Sequence, residues 1–202
     1  MKLIKGLAAA ALLASAVFAA GQANAQALAG KKVGIAAREI TNDYNRDIIA
    51  GATTVLKENG AEVVVTDGGT DPRKHNENIE SLINSGVAGI IVQLGDPQQL
   101  APVVAKANAA GIPVITTSIG SKTEGAIADV GGDEALMAAM LARSLLSSID
   151  YKGTVIGFWV PGAPLLETRK RVFEAVLADY PNVKVQWVPT EHSAAKVQTQ
   201  ME

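Results

Sequence analysis

The sequence predicts an α/β fold in which parallel β-strands alternate with helices. Four apolar runs, most of them rich in β-branched residues, begin at Val33, Ala61, Ala88 and Pro113. Apolar residues recur at helical spacing between these runs. Such alternation produces right-handed βαβ crossovers and a parallel sheet that is covered on both faces. Ligands of these sheets bind beyond the carboxyl ends of the strands, so the loops there are the predicted functional positions.

Capping residues predict where the helices begin. Asn42 or Asp43 is placed to cap the first helix. The next two helices each begin with an aspartate followed by a proline, at Asp71 and Asp96, and a proline is favoured at the first helical position. Each of the three predicted helices is followed by a glycine, which is typical of a helix end.

The βα pattern resumes after Gly131–Gly132, which is the predicted boundary between two lobes. A long helix follows, with four large apolar residues on one predicted face: Met137, Met140, Leu141 and Leu145. A strand ending at Trp159, another helix and another strand come next. The last residues have the composition of a further helix without a stop signal.

Composition excludes several classes of protein. The 202 residues carry a formal net charge of -2, which gives no reason to expect a nucleic-acid partner. There are no cysteines, so neither a disulfide framework nor a thiolate metal site is possible. The sequence predicts no cofactor and no bound metal.

The first 25 residues have the pattern of a secretory signal peptide. Lys2 and Lys5 precede an uncharged run over 7–20, and Ala23–Asn24–Ala25 forms a small-residue cleavage site. A membrane anchor is the alternative, but the apolar run is short for a membrane span. We therefore predict cleavage after residue 25 and a periplasmic location.

Catalytic motifs are absent from the sequence. It contains no HExxH, GxSxG, GxxxxGK[ST] or GxGxxG pattern. Of its two histidines, His75 lies in a polar run at a helix start and is predicted to be solvated. An enzyme on a doubly wound sheet would need a nucleophile and a base that we do not find. The prediction is a protein that is not an enzyme.

Polar and aromatic residues that follow the predicted strands are the candidates for ligand contact. They are Asn42, Tyr44, Asn45, Asp96, Ser118, Trp159, Arg169, Glu191 and His192. Asn42 and Asp96 have helix capping as an alternative. Tyr44 is in register with core residues, and Trp159 is either a stacking platform for a sugar ring or a core residue.

The remaining candidates also have two interpretations. Arg169 is in register with apolar residues of its helix, so it either points into a cleft or pairs with a carboxylate. Ser118 ends a strand and either hydrogen-bonds a ligand or turns the chain. Glu191 and His192 open the final segment, where the alternative is an ordinary surface position.

Three stretches of the sequence resemble a known family. They are Gly60–Val65 with Asp71–Pro72, the run from Ile79 to Val92, and the run from Ala107 to Thr116. In this order and spacing the chain resembles periplasmic solute-binding proteins of the ribose-binding type, the binding components of ABC sugar importers. The resemblance implies the type I periplasmic binding protein fold. It also implies two similar αβ lobes joined by a hinge, with a small polar ligand, usually a sugar, between them.

The family resemblance implies an organisation and a set of partners. Residues 26–131 would form the N-terminal ligand-binding lobe, and 132–202 the start of a second lobe that is incomplete because family chains are longer. The expected partners are a sugar, polyol or similar solute and an ABC permease in the inner membrane, with the binding protein a monomer. A periplasmic sensor subunit of the same fold, signalling to a membrane receptor kinase, is the alternative.

The family pattern of site residues is only partly present. Asn42 and Tyr44 match an asparagine and one of two aromatics that the family often has after its first strand, and Asn45 replaces the other aromatic. Arg169 matches a ligand-contacting arginine. Ser118 and Ile119 occupy the positions where the family has an Asp-Arg pair that hydrogen-bonds sugar hydroxyls. These departures imply a polyol, a modified sugar or another small solute rather than an ordinary aldose.

Overall fold

Strands and helices alternate along the part of the chain that the computed structural model describes, residues 27–190 and 194–202. The strands are β1 (Lys32–Ala37), β2 (Glu62–Asp67), β3 (Gly89–Gln93), β4 (Val114–Thr117), β5 (Asp129–Val130), β6 (Gly153–Trp159) and β7 (Val183–Pro189). The helices are α1 (Asp43–Glu58), α2 (Pro72–Asn84), α3 (Pro97–Ala109), α4 (Glu134–Ser148), α5 (Pro164–Leu177) and α6 (Ala194–Met201). This order confirms the predicted α/β class. The predicted signal peptide, 1–25, lies outside the described residues.

Parallel pairing organises both sheets. The larger sheet has the strand order β2-β1-β3-β4-β5. In it β1 pairs with β2 from Lys32 opposite Glu62 to Ala37 opposite Asp67. The smaller sheet consists of β6 and β7, which are also parallel. Because parallel strands end at the same edge of a sheet, the loops that follow them share that edge.

The described residues form two compact units. The first holds the residues before Val92 together with Ala110–Pro113, and the second holds Val92–Ala109 and the residues from Val114 onward. The predicted lobes, 26–131 and 132–202, stay a prediction. Within residues 27–190 and 194–202, no helix combines the length and the apolar composition needed to cross a membrane.

In the first unit, apolar residues of β1 pack against α1. Ile35, Ala37 and Ile49 form a buried cluster. The start of α2 shows the predicted capping: the Asp71 carboxylate accepts hydrogen bonds from the backbone N–H groups of Arg73, at 2.8 Å, and Lys74. The backbone N–H groups of Lys74 and Arg73 hold the pKa of the Asp71 carboxyl below its usual value.

In the second unit, α4 packs through a different face from the predicted one. Met137, Met140 and Leu141 are 45%, 61% and 64% exposed, so most of the predicted apolar face is exposed. Leu145, the fourth predicted residue, is half-buried against the core of the second unit. Ala138 and Ala142 are buried instead, and α4 contacts α5. The distance between two helices depends on the side chains at their contact, so the small alanines allow α5 to approach closely.

Gly157 of β6 provides a test of packing in the second unit. A Cβ added there would lie 2.3 Å from Cζ3 of Trp187. We expect Gly157→Ala to lower the free energy of unfolding by about 1–3 kcal/mol, because the indole must move. Urea denaturation followed by tryptophan fluorescence measures this effect, since both tryptophans, Trp159 and Trp187, lie in the second unit.

Gly51 of α1 is the matched control. A Cβ there would meet nothing within 4 Å. Gly51→Ala should raise the free energy of unfolding by about 0.5–1 kcal/mol, because glycine is a poor helix former. This change is read by circular dichroism. A Gly157→Ala variant as stable as the wild type would contradict the packing that we describe.

Candidate functional site

A buried carboxylate organises the loop that follows β1. Glu39 is 5% exposed. Its Oε1 accepts hydrogen bonds from the backbone N–H of Asn42, at 3.3 Å, and from Nδ2 of Asn45, at 3.1 Å. The Thr41 hydroxyl lies 3.0 Å from both carboxylate oxygens. We call these four residues the Glu39 cluster.

Two predicted ligand contacts belong to the Glu39 cluster. Asn42 caps α1: its Oδ1 accepts from the backbone N–H of Asn45 at 2.8 Å, and its Nδ2 donates to Glu39. The capping alternative is therefore confirmed for Asn42. Asn45 is 2% exposed, and its side-chain amide also donates to Glu39. Both amides contribute to internal structure, and their contact with a ligand stays a prediction.

Two further candidates follow strands without joining a core. Tyr44, at the start of α1, is 57% exposed, so its core alternative is wrong. The Asp96 carboxylate accepts from the backbone N–H of Gln98 at 2.8 Å. This bond confirms the capping alternative for Asp96.

The Glu39 cluster can be tested by a neutral isostere. Glu39→Gln puts an amide group where several donors converge, so at least one buried donor loses its acceptor. We expect the free energy of unfolding to fall by about 1–3 kcal/mol, measured by urea denaturation with circular dichroism. The control is Glu58→Gln at the exposed end of α1, which should change stability by less than about 0.5 kcal/mol. Equal effects of the two variants would rule out an organising role for Glu39.

His75 is buried, so the prediction that it is solvated is wrong. It is 1% exposed, and neither ring nitrogen has a hydrogen-bond partner. The side chain packs beneath the turn after β2: a Cβ added at Gly68 would lie 3.1 Å from the His75 Cβ and 2.9 Å from the Arg38 carbonyl oxygen. Burial, with a smaller contribution from the charge of Arg38, lowers the pKa of His75 from 6.5 to about 4.

Protonation of His75 should destabilise the folded chain in acid. The unfolded chain binds a proton near pH 6.5, whereas the folded chain binds it near pH 4. Stability is therefore complete above pH 6.5 and falls as the pH drops from 6.5 toward 4, by about 3 kcal/mol at most. Urea denaturation at a series of pH values should show a smaller fall for His75→Leu than for the wild type. Identical pH profiles would contradict a lowered pKa of His75 in the folded chain.

A cavity of about 510 Å³ lies in the second unit. All but one of its lining residues lie between Ser118 and Ala135, in the loop after β4, in β5 and at the start of α4. The other is Thr168 of α5. Its volume falls within the range of about 300–1,000 Å³ that is common for small-molecule sites.

The Asp129 carboxylate holds the loop that forms one wall of this cavity. It accepts hydrogen bonds from the Thr116 hydroxyl, at 2.9 Å, and from the backbone N–H groups of Ile119, at 3.3 Å, and Gly120, at 2.9 Å. Gly120 has a φ of +78°, and a Cβ there would lie 2.8 Å from Cβ of Leu165. The loop therefore needs glycine at this position.

Two predicted residues are connected with the cavity. Ser118 lines it and is 6% exposed. Arg169 forms an ion pair with Glu134, which is a lining residue. The predicted pairing of Arg169 with a carboxylate is confirmed. The charge of Glu134 explains why a charged residue lies in register with apolar residues of α5.

Trp159 does not line the cavity and has a half-buried indole. Its Nε1 donates to Glu167 at 3.2 Å, and the Lys170 ammonium lies 4.9 Å from the ring centroid. The backbone N–H of Gly162 and the Trp159 indole hold the pKa of the Glu167 carboxyl below its usual value. The Lys170 ammonium thus lies over the Trp159 ring, which is the predicted stacking surface for a sugar. Stacking of a sugar on this ring stays a prediction.

The structure adds two residues that sequence reasoning missed. Ser121 and Thr123 line the cavity, and their buried hydroxyls have no hydrogen-bond partner. In the sequence they belong to a polar loop without any motif, so nothing there distinguishes them. The predicted contacts Glu191 and His192 lie outside the described residues. Among residues 27–190 and 194–202, no three His, Asp or Glu side chains are grouped so as to hold a metal.

Comparisons with known proteins agree with this fold. Residues 33–202 match the periplasmic binding protein domain family. The xylitol-binding protein of Mycolicibacterium smegmatis is 27% identical over 156 residues, which are 77% of this chain and 44% of that protein. The ribose import binding protein of Bacillus subtilis is 23% identical over 146 residues, 71% of this chain and 48% of that protein. The chain thus matches less than half of the length of either relative.

Solved structures show the same architecture. An ABC transporter solute-binding protein from Mycobacterium smegmatis, with bound glycerol, superimposes with a TM-score of 0.78 at 23% sequence identity. The match covers 85% of this chain and 60% of that one. The predicted resemblance and the type I periplasmic binding protein fold are therefore confirmed. The family match extends over most of the chain, and this protein belongs to the periplasmic binding protein domain family.

Proposed function

We propose that this chain captures a small hydroxylated solute, a sugar or a polyol, in the cavity of its second unit. The observation that carries the proposal is the cavity itself, which is lined by serine and threonine residues, carboxylates and glycines after β4. This lining suits a solute with many hydroxyls, because each hydroxyl both donates and accepts hydrogen bonds. The relatives support it: one is named for xylitol, one for ribose import, and one structure holds glycerol.

The role that fits this capture is that of the binding component of an ABC importer. The chain would be exported with cleavage of 1–25, would work in the periplasm as a monomer, and would present its solute to a permease in the inner membrane. It would not transform the solute. The family of binding proteins and the ABC importer relatives support this role. Ser118, which lines the cavity, and Arg169, which pairs with the lining residue Glu134, are the proposed contacts to mutate first.

A thermal-shift screen of sugars and polyols tests the proposal. A solute that binds only the folded chain raises the melting temperature by mass action, and at 100 times its Kd it adds about 2.7 kcal/mol of stability. We expect at least one hydroxylated solute to produce such a shift with the full chain. A complete absence of shifts across the screen would overturn the proposed function.

A variant that fills the cavity shows where the solute binds. Ala135 lines the cavity at the exposed start of α4, and Ala135→Phe should abolish the shift and weaken binding at least tenfold in calorimetry. Ala50→Phe, on the exposed side of α1, is the matched control and should leave binding unchanged. If Ala135→Phe binds as well as the control, the site lies elsewhere.

A further inference from the structure

Resting on the proposed function, we infer that Asp129 is a positioning residue for solute capture. It holds the loop between β4 and β5, residues 118–128, in the binding conformation in the absence of solute. More than half of the lining residues of the cavity lie in this loop, so its conformation determines the shape of the site. The inference follows from a strained backbone, from the groups that Asp129 gathers, and from a second attachment at α3.

The backbone at the start of the loop has a conformation that needs support. Ser118 has a φ of +58° and Gly120 has a φ of +78°. The left-handed region favours glycine, and a residue with a side chain stays there only where surrounding contacts hold it. The pairing with β5 holds one side of Ser118, whose backbone N–H donates to the Val130 carbonyl oxygen at 3.0 Å. The residues that follow Ser118 need a separate support.

Asp129 supplies this support with both of its carboxylate oxygens. Its Oδ1 accepts from the Thr116 hydroxyl and from the backbone N–H of Ile119. Its Oδ2 accepts from the backbone N–H of Gly120. The first oxygen thus connects the loop to a fully buried side chain of β4, and the second fixes the residue at which the chain turns. An amide cannot replace this carboxylate, because one of its two positions is an NH2 group that donates instead of accepting.

A second attachment holds the far end of the loop. Asn108, near the end of α3, donates from Nδ2 to the Gly125 carbonyl oxygen at 2.9 Å. Between the two attachments, the backbone N–H of Ala126 donates to the Thr123 carbonyl oxygen at 3.1 Å. A loop that is fixed in this way loses little conformational entropy when a solute binds, and such preorganisation raises affinity.

Amide hydrogen exchange of the full chain without solute tests the positioning directly. Asp129→Asn should speed exchange at Ile119 and Gly120 about tenfold or more, while the amides of β6 keep their rates. Asp179→Asn, at an exposed position after α5, is the matched control and should leave the loop amides unchanged. Equal exchange of the loop in the two variants would overturn the inference.

Thr116→Val provides a second measurement if Asp129→Asn folds poorly. The variant removes the hydroxyl that donates to Asp129 and keeps a similar side-chain shape at a fully buried position. Exchange at Ile119 and Gly120 should rise about threefold or more, and Thr116→Ser, which keeps the hydroxyl, should restore the wild-type rates. Wild-type exchange in Thr116→Val would contradict the inference.

Binding kinetics separate positioning from direct contact with the solute. A smaller population of binding-ready chains slows association and leaves dissociation unchanged. The probe is the solute with the largest shift in the thermal-shift screen, with xylitol and ribose tried first. By stopped-flow fluorescence, Asp129→Asn should lower the association rate constant about fivefold or more and change the dissociation rate constant by less than about twofold. A faster dissociation with unchanged association would mean that Asp129 contacts the solute, and the positioning role would be wrong.

The outcomes also separate this inference from the proposed function. If a solute binds and the loop exchanges equally in all variants, the proposed function stands and the inference fails. If no solute binds, the proposed function fails, and the exchange measurement still decides whether Asp129 holds the loop.

Discussion

A carboxylate that is removed from water, fully or in part, needs hydrogen-bond donors inside the protein, and this requirement shapes the loops after β1 and β4. Glu39 gathers the side chains that follow β1, and Asp129 gathers the backbone N–H groups that follow β4. Each carboxylate accepts from at least one buried donor, Asn45 in the first loop and the Thr116 hydroxyl in the second, and a buried donor that lacks an acceptor is costly. The strands place the loops at an edge of the sheet, and these two acids determine the conformation of the loops there.

Some buried polar groups depart from this pattern, and they are informative for that reason. Burial lowers the pKa of His75, with a smaller contribution from the charge of Arg38, and this makes the fold sensitive to acid. Ser121 and Thr123 are also without partners, but they line a cavity. In each case a buried polar group without a hydrogen-bond partner lowers the stability of the fold.

Local patterns in the sequence predicted most of the described fold. The alternation of apolar runs with helical spacing, and the caps at Asn42, Asp71 and Asp96, depend on residues close together in the chain. The face through which α4 packs was predicted wrongly, because large apolar residues such as Met140 and Leu141 mark an apolar face without showing which neighbour meets the helix.

The sequence by itself determined the α/β class, the family resemblance, the helix starts and a set of polar residues after the strands. Only the tertiary structure decided which of these residues serve the fold. Asn42 and Asn45 donate hydrogen bonds to Glu39, and Arg169 forms an ion pair with Glu134. His75 is buried. It also brought Ser121 and Thr123 to the wall of a cavity. Arg169 and Glu134 are 35 residues apart in the chain, so local spacing carries no information about their pairing. Glu39 lies close in the chain to Asn42 and Asn45, but residue type and spacing do not show that its carboxylate is buried.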